Sequence, residues 1–319
     1  MNEQELLDLI ARARDEEWKE LNLDRLGLSI LPPAIGDLVK LKRLILGTQG
    51  RWDRDCLNQL TDLPEEFGRL KKLEVLVISC NQLRSIPKPI EQLTNLKILD
   101  LSRNRIEAIP EFIGQLANLK VLNLSRNYIE VIPESIGQLA NLQNLNLIQN
   151  MITEIPDRIG QLTKLKYLDL DRNYIEAIPE SIGKLTNLTI LYILGSDEIE
   201  NIPELIGELI NLRRLDLSFN KIENIPKSIA KLTKMKELSL SNNQITDIPE
   251  SISKLTSLKG LDLGNNQITT IPEFIGELAN IHKIDLRYNP IEVIPLSLRK
   301  LAKLRDLDFF LEWEPIDIS

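Results

Sequence analysis

The residues best able to do chemistry in this chain are its carboxylates, and their spacing is regular. Asp100, Asp169, Asp216, Asp262, Asp285 and Asp308 recur at multiples of 23 residues, with one extra residue between Asp169 and Asp216. Paired carboxylates can serve as general acid and base, or can hold a hard cation, but both tasks need convergent groups in unlike surroundings. A file at constant spacing predicts a solvated sheet face instead. Asp262, Asp285 and Asp308 would lie on consecutive strands and repel one another by about 0.2–1 kcal/mol per pair. Lys283 and Arg287 offset part of this, and a cationic group on a partner would offset the rest. The single histidine, His282, is a poor basis for a triad or a metal site. No GxGxxG, GxxxxGK[ST], HExxH or CxxC occurs. The expectation is a protein without catalytic machinery, cofactor or metal.

The chain has 319 residues, a formal net charge of −8 and a pI near 5.1. A duplex-binding protein needs a basic stripe to displace counterions, so the acidic chain argues against nucleic acid, and none is expected as a partner. Adhesion to anionic lipid is disfavoured for the same reason. The N-terminus is acidic and amphipathic, unlike a secretory leader, and no apolar run reaches the ~18 residues of a membrane span. Two cysteines, Cys56 and Cys80, do not make a disulfide framework, which points to a reducing, cytoplasmic setting. Cys56 lies two residues before Asn58, and Cys80 immediately before Asn81. Two readings stay open: separate thiols, or a pair brought together at one rim.

The elements that position these residues follow from self-similarity. Leu96, Leu119, Leu142, Leu165 and Leu188 are 23 residues apart, as are Leu212, Met235, Leu258, Ile281 and Leu304. The unit reads LxxLxLxxNxIxxIPxxIGxLxx. In LxxLxL the leucines share one face of a short strand. The proline pre-sets φ for a short helical turn, and the glycine four residues on suits the end of that turn. One unit cannot bury its leucines alone, so units stack. The spacing predicts an α/β solenoid of about 12 full repeats. Its 13 parallel strands line a concave face, and short helical turns line the convex one. The ninth-place asparagines (Asn81, Asn104, Asn127, Asn150, Asn173, Asn220, Asn243, Asn266, Asn289) should form a hydrogen-bonded ladder at the turn leaving each strand. The unit from Leu188 is one residue longer and lacks the asparagine, so a local bulge is expected there.

This pattern resembles the leucine-rich repeat family from Trp18 to about Phe309. The opening "EEWKELNL", followed after an insertion by "LTDLPEEFGRLKKLEVLVIS", resembles the repeat part of bacterial, especially cyanobacterial, Roco proteins, in which the repeats precede a GTPase domain. The IPxxIGxLxxL units also resemble those of Ras-group scaffold proteins. The chain departs from the Roco plan in having no phosphate-binding loop. The resemblance implies a protein partner, with a small GTPase or GTPase domain as one class. The expected organisation is a capping helix over 1–17, with Asn2 as N-cap and Glu5 three residues on. Repeats follow over 18–303, then a last strand with a C-terminal cap over 304–319.

The residues that break the register are the candidate binding residues. Leu41 and Leu73 are 32 residues apart rather than 23, so nine residues are inserted at about 47–57. That stretch, GTQGRWDRDC, carries Trp52 between Arg51 and Arg54, a composition found at binding hot spots. It reads equally as a tolerated loop or as a binding loop over the concave face. Third place should face solvent, yet it holds Val75, Ile98, Val121, Tyr167 and Ile190. Fifth place holds Ile45 and Val77. An apolar sheet face marks an interaction site, although β-propensity alone also favours valine and isoleucine in strands. At the rim, Arg103, Arg126 and Arg172 occupy eighth place, and Tyr128, Met151 and Tyr174 tenth place. Tyr, Met and Arg are enriched in interface cores, although repeat duplication also copies such residues.

Overall fold

The structure is a computed structural model. It describes residues 1–48 and 58–298 in full and the backbone of 308–310. The chain divides into two compact units, Met1–Ile152 and Thr153–Ser319.

The first unit opens with helix α1 (Glu3–Asp15). Asn2 closes a reciprocal capping box: its side chain accepts from the Glu5 amide at 2.9 Å, and the Asn2 amide donates to Glu5 Oε2 at 2.8 Å. Leu6, Ile10 and Ala13 are buried, so α1 covers apolar surface as its periodicity predicts. Six short strands follow: β1 (Glu20–Asn22), β2 (Arg43–Ile45), β3 (Val75–Val77), β4 (Ile98–Asp100), β5 (Val121–Asn123) and β6 (Asn144–Asn146). Each pairs in parallel with the next, residue for residue.

The second unit repeats the pattern with β7 (Tyr167–Asp169), β8 (Ile190–Tyr192), β9 (Arg214–Asp216), β10 (Glu237–Ser239), β11 (Gly260–Asp262), β12 (Lys283–Asp285) and β13 (Asp308–Phe310). These strands are also parallel neighbours in sequence order. Between strands runs a five-residue 3₁₀ helix, such as Glu111–Gln115 or Glu180–Lys184, entered from Pro110 or Pro179 in extended backbone.

The core is aliphatic. In the repeat beginning at Leu142, the side chains of Leu142, Leu145, Leu147, Ile152, Ile159 and Leu162 are all fully buried. Fully burying each such side chain stabilises by about 1.5–3 kcal/mol before entropy is counted. The repeat glycine has a different reason from the one expected. A Cβ on Gly114 would lie 2.7 Å from the Ser135 carbonyl oxygen, and one on Gly183 would lie 2.5 Å from that of Leu205. Close stacking of the 3₁₀ turns leaves no room for a side chain at these two repeats, whereas Glu91, Ala230 and Ser253 hold the same place elsewhere. The left-handed backbone falls instead on eighth place, as at Arg103 (φ 55°), Arg126 (φ 59°) and Phe219 (φ 57°).

The asparagine ladder forms. Asn150 Nδ2 donates to the carbonyls of Leu124 at 3.1 Å and Leu147 at 2.9 Å, while its Oδ1 accepts from the Ile129 amide at 3.1 Å. Asn58 resumes the ladder after the insertion, reaching Leu23 O and Leu46 O at 2.8 and 2.9 Å.

Candidate interaction face

In the first unit the third-place side chains are neighbours. Val75 pairs with Ile98, and Ile98 with Val121, across β3, β4 and β5. All three are half-buried, so the strand register places them on the open face of the sheet. Asn144, exposed in the same place of β6, ends the stripe. Val77 does not belong to it. It is fully buried, contrary to its reading as a partner-binding residue. Just beyond it, the chain leaving β2 closes down: Ser79 donates its hydroxyl to the Thr48 carbonyl at 2.8 Å, and Gly47 has no room for a Cβ against the Ser79 carbonyl.

The rim of this unit presents Arg103, Arg126, Tyr128 and Met151. Tyr128 is 53% exposed and Met151 41%. Burial and the neighbouring Arg126 charge lower the pKa of the Arg103 guanidinium, so two like charges sit close together. Trp52, Arg51, Arg54 and Cys56 lie outside the described residues. Cys80 is buried and disulfide-bonded, so it is not the separate thiol that one reading expected.

In the second unit the open face changes character. Tyr167 and Ile190 pair across β7 and β8, and the Tyr167 ring meets that of Tyr192 edge to face with centroids 6.1 Å apart. The Tyr167 hydroxyl donates a hydrogen bond to Asp169 Oδ2, and burial, reinforced by this bond, holds the phenol well above its ordinary pKa. Arg172 and Tyr174 are exposed at the rim.

The fifth-place carboxylates do more than face solvent. Asp100, Asp216 and Asp262 each accept from the backbone amide two residues on, at 2.9–3.0 Å. They fasten the start of each turn in the manner of an Asx motif. Asp285 is also gripped by Arg287, whose Nε donates at 3.0 Å, and this cation holds its carboxyl below the usual range against the opposing effect of burial.

Sequence reasoning missed Asp171. It stands in seventh place, where other repeats carry Ser102, Ser125, Ser218 or Ser241; "LDLDRN" in place of "LDLSRN" was the available signal. Its carboxylate accepts from the Leu194 amide at 2.8 Å. Burial, reinforced by the charges of Asp169 and Asp216, pushes its pKa up to about 7. Burial likewise raises the Asp169 carboxyl, with Asp216 adding to the effect. Asp171, Tyr192, Arg214, Asp216, Glu237 and Ser239 line a hollow of about 350 Å³ on this face. Among the described residues no group of three or more His, Cys, Asp or Glu side chains could hold a metal. No described helix is long and apolar enough to cross a membrane.

The architecture matches known proteins. A leucine-rich repeat family model fits residues 56–106, 140–197 and 210–268, together just over half of the chain, and a leucine-rich repeat region model fits 88–163. No curated protein sequence matches. Among solved structures, a leucine-rich repeat protein of Leptospira interrogans is 28% identical, with 95% of this chain and 98% of that one covered and a TM-score of 0.58. A plant peptide hormone receptor, RGFR1 in complex with RGF2, is 30% identical over 88% of this chain, with a TM-score of 0.74; this chain spans half of that receptor's length. The Listeria monocytogenes internalin InlF shares the fold at 24% identity, with 98% and 94% of the two chains covered and a TM-score of 0.72. With the repeat register, the buried leucines and the asparagine ladder in place, and with the family pattern fitting most of its repeats, this chain belongs to the leucine-rich repeat family.

Proposed function

We propose that this protein is a non-enzymatic module that binds a partner protein through the open sheet face and rim of its first unit. Leucine-rich repeats are in general protein-interaction modules. The observation that carries the reading is the stripe of Val75, Ile98 and Val121, three adjacent aliphatic side chains left half-exposed. Asn144 shows that the same place accepts a polar residue without loss of the fold. Contiguous apolar surface of this kind is uncommon on a soluble protein unless something covers it. Arg103, Arg126 and Tyr128 flank the stripe with residue types suited to an interface, and the matched plant receptor is itself in complex with RGF2.

The test is capture of partner proteins from the source organism by the wild-type chain and by Ile98→Asp with Val121→Asp. The double variant should keep the wild-type fold, because both sites already touch solvent, and should lose at least tenfold in capture. Undiminished capture by a folded double variant would remove the stripe from the binding surface.

A second reading, carried by the resemblance of the opening repeats to Roco proteins, makes the partner a small GTPase or a GTPase domain. Capture should then change between added GDP and a non-hydrolysable GTP analogue. The disulfide at Cys80 counts against this reading, since disulfides persist in oxidising compartments.

A further inference from the structure

From the second unit we infer that the open face of β7–β9 receives a cationic side chain, arginine or lysine, from an extended basic segment of a partner protein. The inference deepens the proposed function and rests on it, but it concerns a different unit and a different chemistry from the aliphatic stripe.

Charge complementarity is the first support. Between Asp169 and Asp216 the sequence holds ten acidic residues and four basic ones, Arg172, Lys184, Arg213 and Arg214. Three of the acids, Asp169, Asp171 and Asp216, converge on one stretch of sheet face. Asp169 is only 5% exposed. Its oxygens accept from the Tyr167 hydroxyl and the Asp171 amide. Asp171 accepts from Leu194 N, and Asp216 from Ser218 N. These hydrogen bonds satisfy polar atoms without neutralising charge. Asp285 shows the contrast, because Arg287 closes onto it within the same unit. Among the described residues no ion pair forms to Asp169, Asp171 or Asp216. Clustered carboxylates removed from water are costly unless a cation joins them.

The second support is the shape and composition of the hollow. Its wall includes Tyr192, the carboxylates Asp171, Asp216 and Glu237, and one cation, Arg214, and Tyr167 stands edge-on to the Tyr192 ring at 84°. An aromatic face beside carboxylates suits a guanidinium or ammonium group, which gains from both. The 350 Å³ available accommodates a long basic side chain. A bare divalent ion fits poorly, since no metal-competent group of three ligands exists among the described residues.

The charged and titratable groups facing Asp171 are Asp169 and Tyr167 from β7, Arg172 beside it, Tyr192 from β8, Arg214 and Asp216 from β9, and Glu237 from β10. Arg214 and Arg172 leave this set net negative when the carboxylates are ionised. Protonation of Asp171 near neutrality would weaken cation binding as pH falls.

The experiment uses the full chain and a fluorescein-labelled Gly-Ser peptide carrying four arginines, with the citrulline peptide of equal length as control. Fluorescence anisotropy at pH 8 should show binding of the arginine peptide and at least tenfold weaker binding of the citrulline peptide. Asp171→Asn and Asp216→Asn should each weaken arginine-peptide binding about tenfold. Asp262→Asn, on the same face but outside the hollow, should change it less than twofold. Affinity should fall several-fold from pH 8 to pH 6. Thermal unfolding confirms that the variants fold. The inference is overturned by equal binding of both peptides, or by equal losses at Asp171, Asp216 and Asp262, which would indicate diffuse charge attraction. It is also overturned if calcium binds in the hollow by calorimetry and the peptide does not. None of these outcomes touches the aliphatic stripe, so partner capture lost only in the Ile98→Asp, Val121→Asp variant would leave the broader reading standing.

Discussion

Asn150 and Asp171 are both partly removed from water, and each is held by backbone partners in a different way. Asn150 satisfies a donor and two acceptors of the turn with one amide. Replacing it with alanine strands those groups in a dry interior, which should cost about 1–3 kcal/mol. Urea denaturation of Asn150→Ala measures this, and an unchanged midpoint would show that the ladder does not bear on stability. Asp171 has the opposite sign. Its folded pKa of about 7 lies above the ~3.9 of an unfolded aspartate. The folded state therefore holds a proton that the unfolded state releases, and this stabilisation, complete below about pH 4, is lost as pH rises to about 7. Asp171→Asn keeps the acceptor for Leu194 N and removes the charge. It should leave stability nearly unchanged at pH 4 and raise it by about 1–3 kcal/mol at pH 8. A variant that is less stable at pH 8 would contradict the burial account.

Most elements were legible because one short pattern dictates them. The leucines of LxxLxL, the ninth-place asparagine and the proline each have one physical job, and twelve copies leave little ambiguity. The glycine was assigned the wrong job, because the stacking distance between 3₁₀ turns is invisible in a single unit. The bulged repeat was legible from its length. Ser196 replaces the ladder asparagine there, and Asp197 takes a left-handed backbone at φ 62°. The structure adds the consequence: Ser196 Oγ and Asn220 Oδ1 are buried without a hydrogen-bond partner. Deleting Asp197 together with Ser196→Asn restores a 23-residue unit reading LxxLxIxxNxI. This double change should raise stability by about 1 kcal/mol or more, read as a higher urea midpoint with an unchanged slope. A lower midpoint would mean that the neighbouring repeats have adapted to the bulge.

At the scale of the molecule, each unit is a parallel sheet whose inner residues are committed to the core and whose outer residues are free to vary. That freedom explains what the sequence could not settle. The third-place stripe was legible because valine and isoleucine stand out where polar residues suffice. The burial of Val77 was not, because it depends on how the chain leaves β2. The cluster around Asp171 was not either, because its residues lie on different repeats and acquire meaning only when β7, β8 and β9 are side by side. The central claim is that the open sheet face, rather than the side bearing the 3₁₀ turns, meets the partner. Photo-crosslinking in cells of the source organism tests it most directly, with benzoyl-phenylalanine placed at Val121 on the open face and, separately, at Glu111, an exposed position on a 3₁₀ turn. The account predicts a discrete crosslinked protein from position 121 that disappears when Ile98→Asp is added, and none from position 111. A discrete adduct from position 111 with none from 121 would contradict it.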